Sequence, residues 1–361
     1  MRVLHLSAAN RWTGAAAPAF AEVQSLRAVG VDAHYAYVGG YKLEDKLRDV
    51  PFAHALIDKA QNPFSFRSTA RRIRAFIEEH SIDVVHAHLT WDHWLAWFAT
   101  RGMAPRPRLA RTFHSRRSLR SDPLTRYLLR HTGIVATVNG TFVDLPLIRD
   151  RQPLLTPPPL DESFFRPAGP NVRERYELPH DVPVVTAIGK LAPDRGFEDV
   201  LRAFALLHDV TKARLLVIGH GTHRVALETL AAALGVADAV TWAGYHEDDL
   251  PEHYRAADIM LFTAKGSDEG HRAVIEAMGC GVPVISYPIE GVDALLGELA
   301  PRLMSSEAAP VAIASTALTV LVSRSPALRE DCSRAMSRFH LRPSGNRLIN
   351  AYRSFLERPP R

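Results

Sequence analysis

Two acidic side chains eight positions apart, Asp268 and Glu276, bracket the start of a helix in the stretch Gly266 to Pro288, GSDEGHRAVIEAMGCGVPVISYP. An acid-bearing turn, Ser267-Asp268-Glu269-Gly270, runs into a helical segment that stops at Gly279-Cys280-Gly281, and the apolar run Val282 to Ile285 follows as a buried strand. At 1.5 Å per helical residue the two carboxylates stand roughly 12 Å apart. That is about the reach from the sugar to the ribose of a nucleotide sugar. Between them the helix N-terminus offers unpaired N–H groups and a partial positive charge, which suit a phosphate. The plainer reading stands beside it: Arg272 and Glu276, at i,i+4, form a surface ion pair contributing a few tenths of a kcal/mol.

Carboxylates alone repel a diphosphate, so cations have to be supplied nearby. Lys190 and Arg195 flank a strand-to-helix turn, Gly189-Lys190-Leu191-Ala192-Pro193-Asp194-Arg195-Gly196, and Gly219-His220-Gly221 follows the next strand. Near the N-terminus, Gly14-Ala15-Ala16-Ala17 opens a helix with small side chains that let backbone approach a ligand, although tight helix–sheet packing asks for the same residues. His86-Ala87-His88 with Asp92 and His93 raises a metal site, but no third and fourth ligand in tetrahedral spacing is evident. A polar rim at the carboxyl end of a parallel strand is the role expected for them. His114, delivered by the strand Leu109 to Phe113, joins that rim, where open α/β sheets bind ligands.

These residues need strands and helices in alternation to hold them. Apolar runs at Val3–Leu6, Asp32–Val38, Val84–His86, Leu109–Phe113 and Ile134–Val138, separated by helical segments, imply a parallel sheet. The run Thr156-Pro157-Pro158-Pro159 is extended and reads as a linker. A second series begins at Val184 and passes through Leu215–Ile218, Val240–Trp242 and Ile259–Phe262 into the opening stretch. A chain of 361 residues accommodates two domains. The expected division is 1–165 and 166–345, with a final helix, about 346–361, able to return to the first domain.

Composition narrows the classes. A hydrophobic share of 47% with 23% charged residues excludes disorder, and two cysteines, Cys280 and Cys332, leave no disulfide framework and no cysteine-based metal site. The N-terminus reads as a strand rather than a leader, and the longest uncharged run, Ala308 to Ser323, is too short to span a membrane. A cytoplasmic protein is the expectation. The net charge of +5 is uneven: up to Phe165 the balance is +7, and beyond it −2. No acid falls between Asp92 and Asp122, where Arg101, Arg106, Arg108, Arg111, Arg116, Arg117 and Arg120 accumulate. Such a surface suits peripheral contact with an anionic membrane, at its inner face, as well as it suits a plain solvated face. Nucleic acid is not expected, because aromatics are not interleaved with the basic residues.

In this order and spacing the residues resemble the retaining glycosyltransferases of the GT-B fold, glycosyltransferase family 4 above all. That family carries a Gly-Arg-Leu turn with a Lys-Gly soon after, then Gly-x-Gly, then an acid-x7-acid stretch ending in Glu-Ala-Met and Gly-x-Pro-Val. Here Gly189-Lys190-Leu191, Arg195-Gly196, Gly219-His220-Gly221, Asp268 to Glu276, Ala277-Met278 and Gly281-Val282-Pro283-Val284 take those places. The resemblance is specific from Val184 to Ser286; over the first domain it rests on Gly14, His114 and the general alternation. It implies two doubly wound Rossmann-like α/β domains facing a cleft, and transfer of a sugar from a nucleotide sugar to an acceptor with retention of configuration. It also implies no cofactor and no metal.

Residue by residue, the resemblance assigns the donor diphosphate to Lys190 and Arg195, with Gly14, Gly270, His271 and Arg272 close to phosphate or sugar. Glu276 takes the ribose hydroxyls, the first acid takes sugar hydroxyls, and His114 lines the sugar pocket from the first domain. The chain reverses the family's Arg-then-Lys order, which keeps charge but alters bidentate geometry. Ungapped alignment makes Asp268 the first acid, while the family's Glu-Gly pairing would point to Glu269 and Gly270. Two other outcomes share these residues: a GT-B enzyme that hydrolyses or epimerises a nucleotide sugar, and a degenerate subunit that binds a nucleotide sugar or a partner enzyme without turnover.

Overall fold

The computed structural model describes residues 1–12, 14–264, 271–323 and 325–357. Asp268, Glu269 and Gly270 lie outside them. The chain divides into two compact units, one formed by 1–159 with 339–361 and the other by 160–338. Residues 160–165, expected in the first domain, belong to the second because Leu160 packs against Gly279 and the Phe165 ring lies 6.4 Å from that of Tyr254. The C-terminal segment leaves the second unit at Phe339, ahead of the expected position 346.

In the first unit the strands are β1 (Arg2–Leu6), β2 (Asp32–Val38), β3 (Ala53–Ile57), β4 (Val84–Ala87), β5 (Arg108–Phe113), β6 (Ile134–Thr137) and β7 (Leu154–Leu155). Among the described residues they form a seven-stranded sheet in the order β3-β2-β1-β4-β5-β6-β7, and every pairing is parallel. The crossovers run through α1 (Ala16–Ala28), α2 (Lys42–Leu47), α3 (Pro63–His80), α4 (Thr90–Thr100) and α5 (Pro123–Arg130). Strand order reverses between β1 and β4, where the register sets His5 opposite His86. The C-terminal helix, Leu341–Leu356, presents Leu348, Ile349 and Tyr352 to the core made by Val23 and Leu26 of α1 with Val3, Ala33 and Tyr35.

α3 shows how sequence becomes helix here. Asn62 caps it through Phe64 N–H and Ser65 N–H, Pro63 occupies the first turn, and Ser65 returns a bond to the Asn62 N–H. Ala70, Ile73, Phe76 and Ile77 form its buried stripe, while Arg67 and Arg71 face solvent. One member of the basic run is not on the surface. Arg111 is 1% exposed, held within the unit where its charge faces that of Asp92, so it contributes nothing to a basic surface patch.

The second unit carries β8 (Val184–Ile188), β9 (Arg214–Ile218), β10 (Val240–Gly244), β11 (Ile259–Phe262) and β12 (Val284–Ser286). They form a parallel sheet in the order β10-β9-β8-β11-β12. The connecting helices are α6 (Phe197–Thr211), α7 (Arg224–Ala233), α8 (Leu250–Ala256) and α9 (His271–Gly279). The reversal of strand order falls between β8 and β11. Ligands of open α/β sheets bind beyond the carboxyl ends of strands at such a switch point. Among the described residues no single helix is long and apolar enough to cross a membrane.

Candidate functional site

In the second unit the loop leaving β8 and the helix α9 after β11 stand on either side of the switch point. Backbone hydrogen bonds hold the start of the loop in place. Gly189 N–H donates to the Ile218 carbonyl at 3.0 Å, Leu191 N–H to His220 O at 3.0 Å, and His223 N–H to Leu191 O at 3.2 Å. Gly219 sits at φ +140°, and a Cβ there would collide with the Gly189 carbonyl. The Gly-x-Gly of the sequence is therefore a contact requirement between two loops.

At its far end the loop is tied to the other side of the switch point. Gly196, at φ +72°, precedes α6, and the Thr263 hydroxyl beyond β11 donates to its carbonyl at 2.8 Å. A Cβ on Gly196 would meet the Thr263 carbonyl oxygen at 2.5 Å. The Lys190 and Arg195 positions are thus fixed relative to the strand that feeds α9. Lys190 is exposed, and Arg195 is half-buried with its Nε 3.8 Å from the Asp194 carboxylate.

Glu276 lies in the second turn of α9 and is 5% exposed. Arg272 Nε–H donates to its Oε1 at 2.6 Å, and the Tyr254 hydroxyl donates to Oε2 at 3.2 Å. The pair is therefore not the solvated surface bridge of the plainer reading, since burial of the carboxylate raises what the loss of one partner costs. Burial alone would lower the Arg272 pKa; Glu276 beside it outweighs this and holds the guanidinium charged. Each carboxylate oxygen keeps further acceptor capacity after one bond. His271, at the start of α9, is buried with its ring 6.5 Å from that of Phe262.

The remaining expected residues belong to the first unit. Gly14 has φ +62° and immediately precedes the turn into α1. His114, one residue past β5, is 5% exposed, and its Nε2 pairs with His88 Nδ1 at 2.9 Å. Burial, with the charge of Arg111, lowers its pKa to about 3 and keeps the imidazole neutral.

The histidines expected at a polar rim are interior. His86 and His88 are fully buried and join His5 of β1 and Glu22 of α1, so that one donor atom from each lies within 4.8 Å of the others. Asp92 and His93 take other work. Asp92 accepts from Leu89 N–H at 2.6 Å and Ala8 N–H at 3.2 Å, while His93 Nε2 pairs with the Thr132 hydroxyl at 2.8 Å. The third and fourth donors, His5 and Glu22, are 81 and 64 residues from His86 in the chain. Only the β1–β4 register brings the first of them in.

Two α/β units with parallel sheets are the architecture of the GT-B fold, and two family matches, one in each unit, place the chain among the family-4-like proteins of that fold. Residues 170–337 match the family described as Glycosyl transferases group 1, and residues 13–142 match Glycosyltransferase Family 4. A curated relative, the D-inositol 3-phosphate glycosyltransferase of Acidothermus cellulolyticus, is 29% identical over 63% of this chain. The match spans 57% of that relative's length, and 42% and 61% of two others. Among solved structures, a glycosyltransferase of Rickettsia africae has a TM-score of 0.82 at 18% identity, covering 99% of both chains. Anabaena HepE in complex with UDP and glucose has a TM-score of 0.77 at 16% identity, covering 98% of this chain and 100% of its own. At these identities the structures speak to fold alone.

Proposed function

We propose that the protein transfers a hexose from a nucleoside-diphosphate sugar, held at the β8/β11 switch point, to an acceptor hydroxyl with retention of configuration. The observation that carries this reading is Glu276: a buried carboxylate oriented by Arg272 and Tyr254, on a helix that starts across the switch point from two cations on a glycine-locked loop. In this reading Glu276 accepts from the ribose hydroxyls, each charge-assisted bond contributing about 1.5–3 kcal/mol. Lys190, Arg195 and the α9 N-terminus with His271 and Arg272 balance the diphosphate charge as it develops, so that no metal is needed there. Asp268 receives sugar hydroxyls. The reading assigns Gly14 to phosphate and His114, whose Nε2 pairs with His88, to the sugar.

The bond from the sugar C1 to the acceptor oxygen forms as the C1–phosphate oxygen bond breaks. The acceptor proton passes to the departing diphosphate on the same face. The complex of HepE with UDP and glucose and the inositol-phosphate relative support a nucleotide-sugar donor and a hydroxyl acceptor as the classes to try first. The free, buried cysteines fit a cytoplasmic setting.

Calorimetric titration with UDP-, GDP- and ADP-hexoses, followed by transfer assays with the donor that binds, tests the reading. Binding of one donor, turnover without added divalent cation, and loss of turnover in Glu276→Ala are expected. Near-wild-type transfer by Glu276→Ala overturns it.

A further inference from the structure

Beneath the other switch point, where strand order reverses between β1 and β4, the first unit buries a group of side chains that the proposed transfer does not use. Glu22 Oε2 has no hydrogen-bond partner among the described residues, although Glu22 is 1% exposed. It stands 3.6 Å from His5 Nδ1, 3.7 Å from His88 Nε2 and 3.9 Å from His86 Nδ1. Those separations are too long for hydrogen bonds. They fall close to the edge of a tetrahedron of donors around one ion, about 3.4 Å for metal–ligand bonds of about 2.1 Å.

The other nitrogen of each ring points the same way. His5 Nε2 lies 3.3 Å from the Tyr352 hydroxyl, His86 Nε2 is 2.8 Å from the Thr112 hydroxyl, and His88 Nδ1 is 2.9 Å from His114 Nε2. With N–H on those outer nitrogens, all three rings turn a lone pair inward. Metal-ligating imidazoles are oriented in this way, by a bond from the distal N–H to a fixed acceptor. A buried carboxyl oxygen without a hydrogen-bond partner is a costly arrangement that a cation relieves.

We propose that His5, His86, His88 and Glu22 form a structural binding site for one zinc-type divalent transition-metal ion in the first unit. Three imidazole nitrogens and one carboxylate oxygen are a tetrahedral donor set of the kind such ions take. Loading asks for two small adjustments. His5 Nδ1 and His88 Nε2, hydrogen-bonded at 2.8 Å, give up that bond and the proton in it and separate by about half an ångström to reach the tetrahedral edge, and Tyr352 releases His86 Nδ1, now 2.6 Å from its hydroxyl. Glu22 supplies one negative charge, and the positive charge of Arg111 that faces these rings is offset by Asp92. The ligands come from β1, α1, β4 and the residue after it, and Tyr352 covers them from the C-terminal helix. The ion therefore enters as the unit folds and ties those elements together.

A second trio, His246, Asp249 and His253, lies in the other unit. Its Asp249 is committed to Arg175 at 2.6 Å and to His246 at 2.9 Å, so it carries no comparable signal.

The test uses the full chain without a histidine tag, produced with Co²⁺ as the only added transition metal. Elemental analysis is expected to find about one equivalent per chain, with visible d–d bands of tetrahedral intensity. The bands disappear in Glu22→Gln and in His88→Ala and persist in His246→Ala. Withdrawal of the metal lowers the melting temperature of the wild-type chain and leaves that of Glu22→Gln unchanged. A folded wild-type chain with less than about a tenth of an equivalent, bands of octahedral weakness, or bands lost in His246→Ala overturns the proposal. The wild-type spectrum decides even if the variants do not fold. None of these readouts depends on sugar transfer, so this inference and the proposed function fail separately.

Discussion

The two units reverse strand order in the same way and furnish the reversal with opposite chemistry. In the second unit the β8/β11 switch point is lined by backbone and by permanent charge: Lys190 on the loop after β8, Arg195 at the end of a single 3₁₀ turn, Pro193–Arg195, and a carboxylate already paired on α9. Glycines at 196 and 219 let loops approach to the point where no side chain fits. In the first unit the β1/β4 switch point is underlain by imidazoles. Burial lowers the His5 pKa to about 3 and holds those of His86 and His88 well below the ordinary value, so these rings are neutral at pH 7. The contrast teaches that strand order provides a place for a ligand, while residue type and burial set its charge. Permanent charge near the surface suits an anion that comes and goes; neutral lone pairs in the interior suit an ion that stays.

The sharpest way to break this comparison is to remove Glu276, the buried carboxylate on α9. Glu276→Ala loses the bonds proposed to the ribose and leaves Arg272 and Tyr254 without their acceptor. A fall in kcat/KM of about 10³-fold is expected, equivalent to about 4 kcal/mol, and steady-state kinetics with the bound donor measure it. Gly219→Ala attacks the scaffold instead. With φ at +140° and the Gly189 carbonyl in the way, destabilisation by about 2–4 kcal/mol is expected in denaturant unfolding. An Ala variant as stable as wild type would show that the loop–loop contact has slack.

Lys190→Ala sharpens the comparison further, because the side chain is exposed and its loss leaves the fold intact. Donor Kd is expected to rise about 10- to 100-fold, and the rise to shrink as salt increases. The smallest effect belongs to the first unit's edge. Burial, with His34 and His80 nearby, lowers the His54 pKa to about 4. Between about pH 6.5 and pH 4 the unfolded chain takes up a proton that folded His54 refuses. Its contribution is therefore complete above pH 6.5 and fades as the pH drops through that window. His54→Gln is expected to flatten the acid side of the stability profile slightly, as read from denaturant midpoints at each pH.

Much of the second unit was legible in the sequence. The strand Ile259–Phe262 was read with the bounds the structure has and Leu215–Ile218 to within one residue, because apolar runs bounded by Gly, Pro and Asp leave little choice. The first unit was less transparent. β3, AHALI, is an edge strand only partly buried, with little β-branched content to mark it. α4 begins TWDHW, where two polar residues that cap and pack the helix were counted among candidate metal donors.

The sequence by itself determined the alternation of strands and helices, the glycine-bounded loops, and Glu276 on a short helix after an acidic turn. Each of these is written within about ten consecutive residues, where local periodicity and turn chemistry operate. Tertiary structure alone decided that Glu276 meets Tyr254, that Gly219 closes on Gly189, that Arg111 is interior, and that His5 and Glu22 join His86 and His88 under Tyr352, 266 residues beyond His86. The reason is physical. Which strands pair, and in which register, depends on the burial of whole faces, and no short stretch of chain records the neighbour that burial selects.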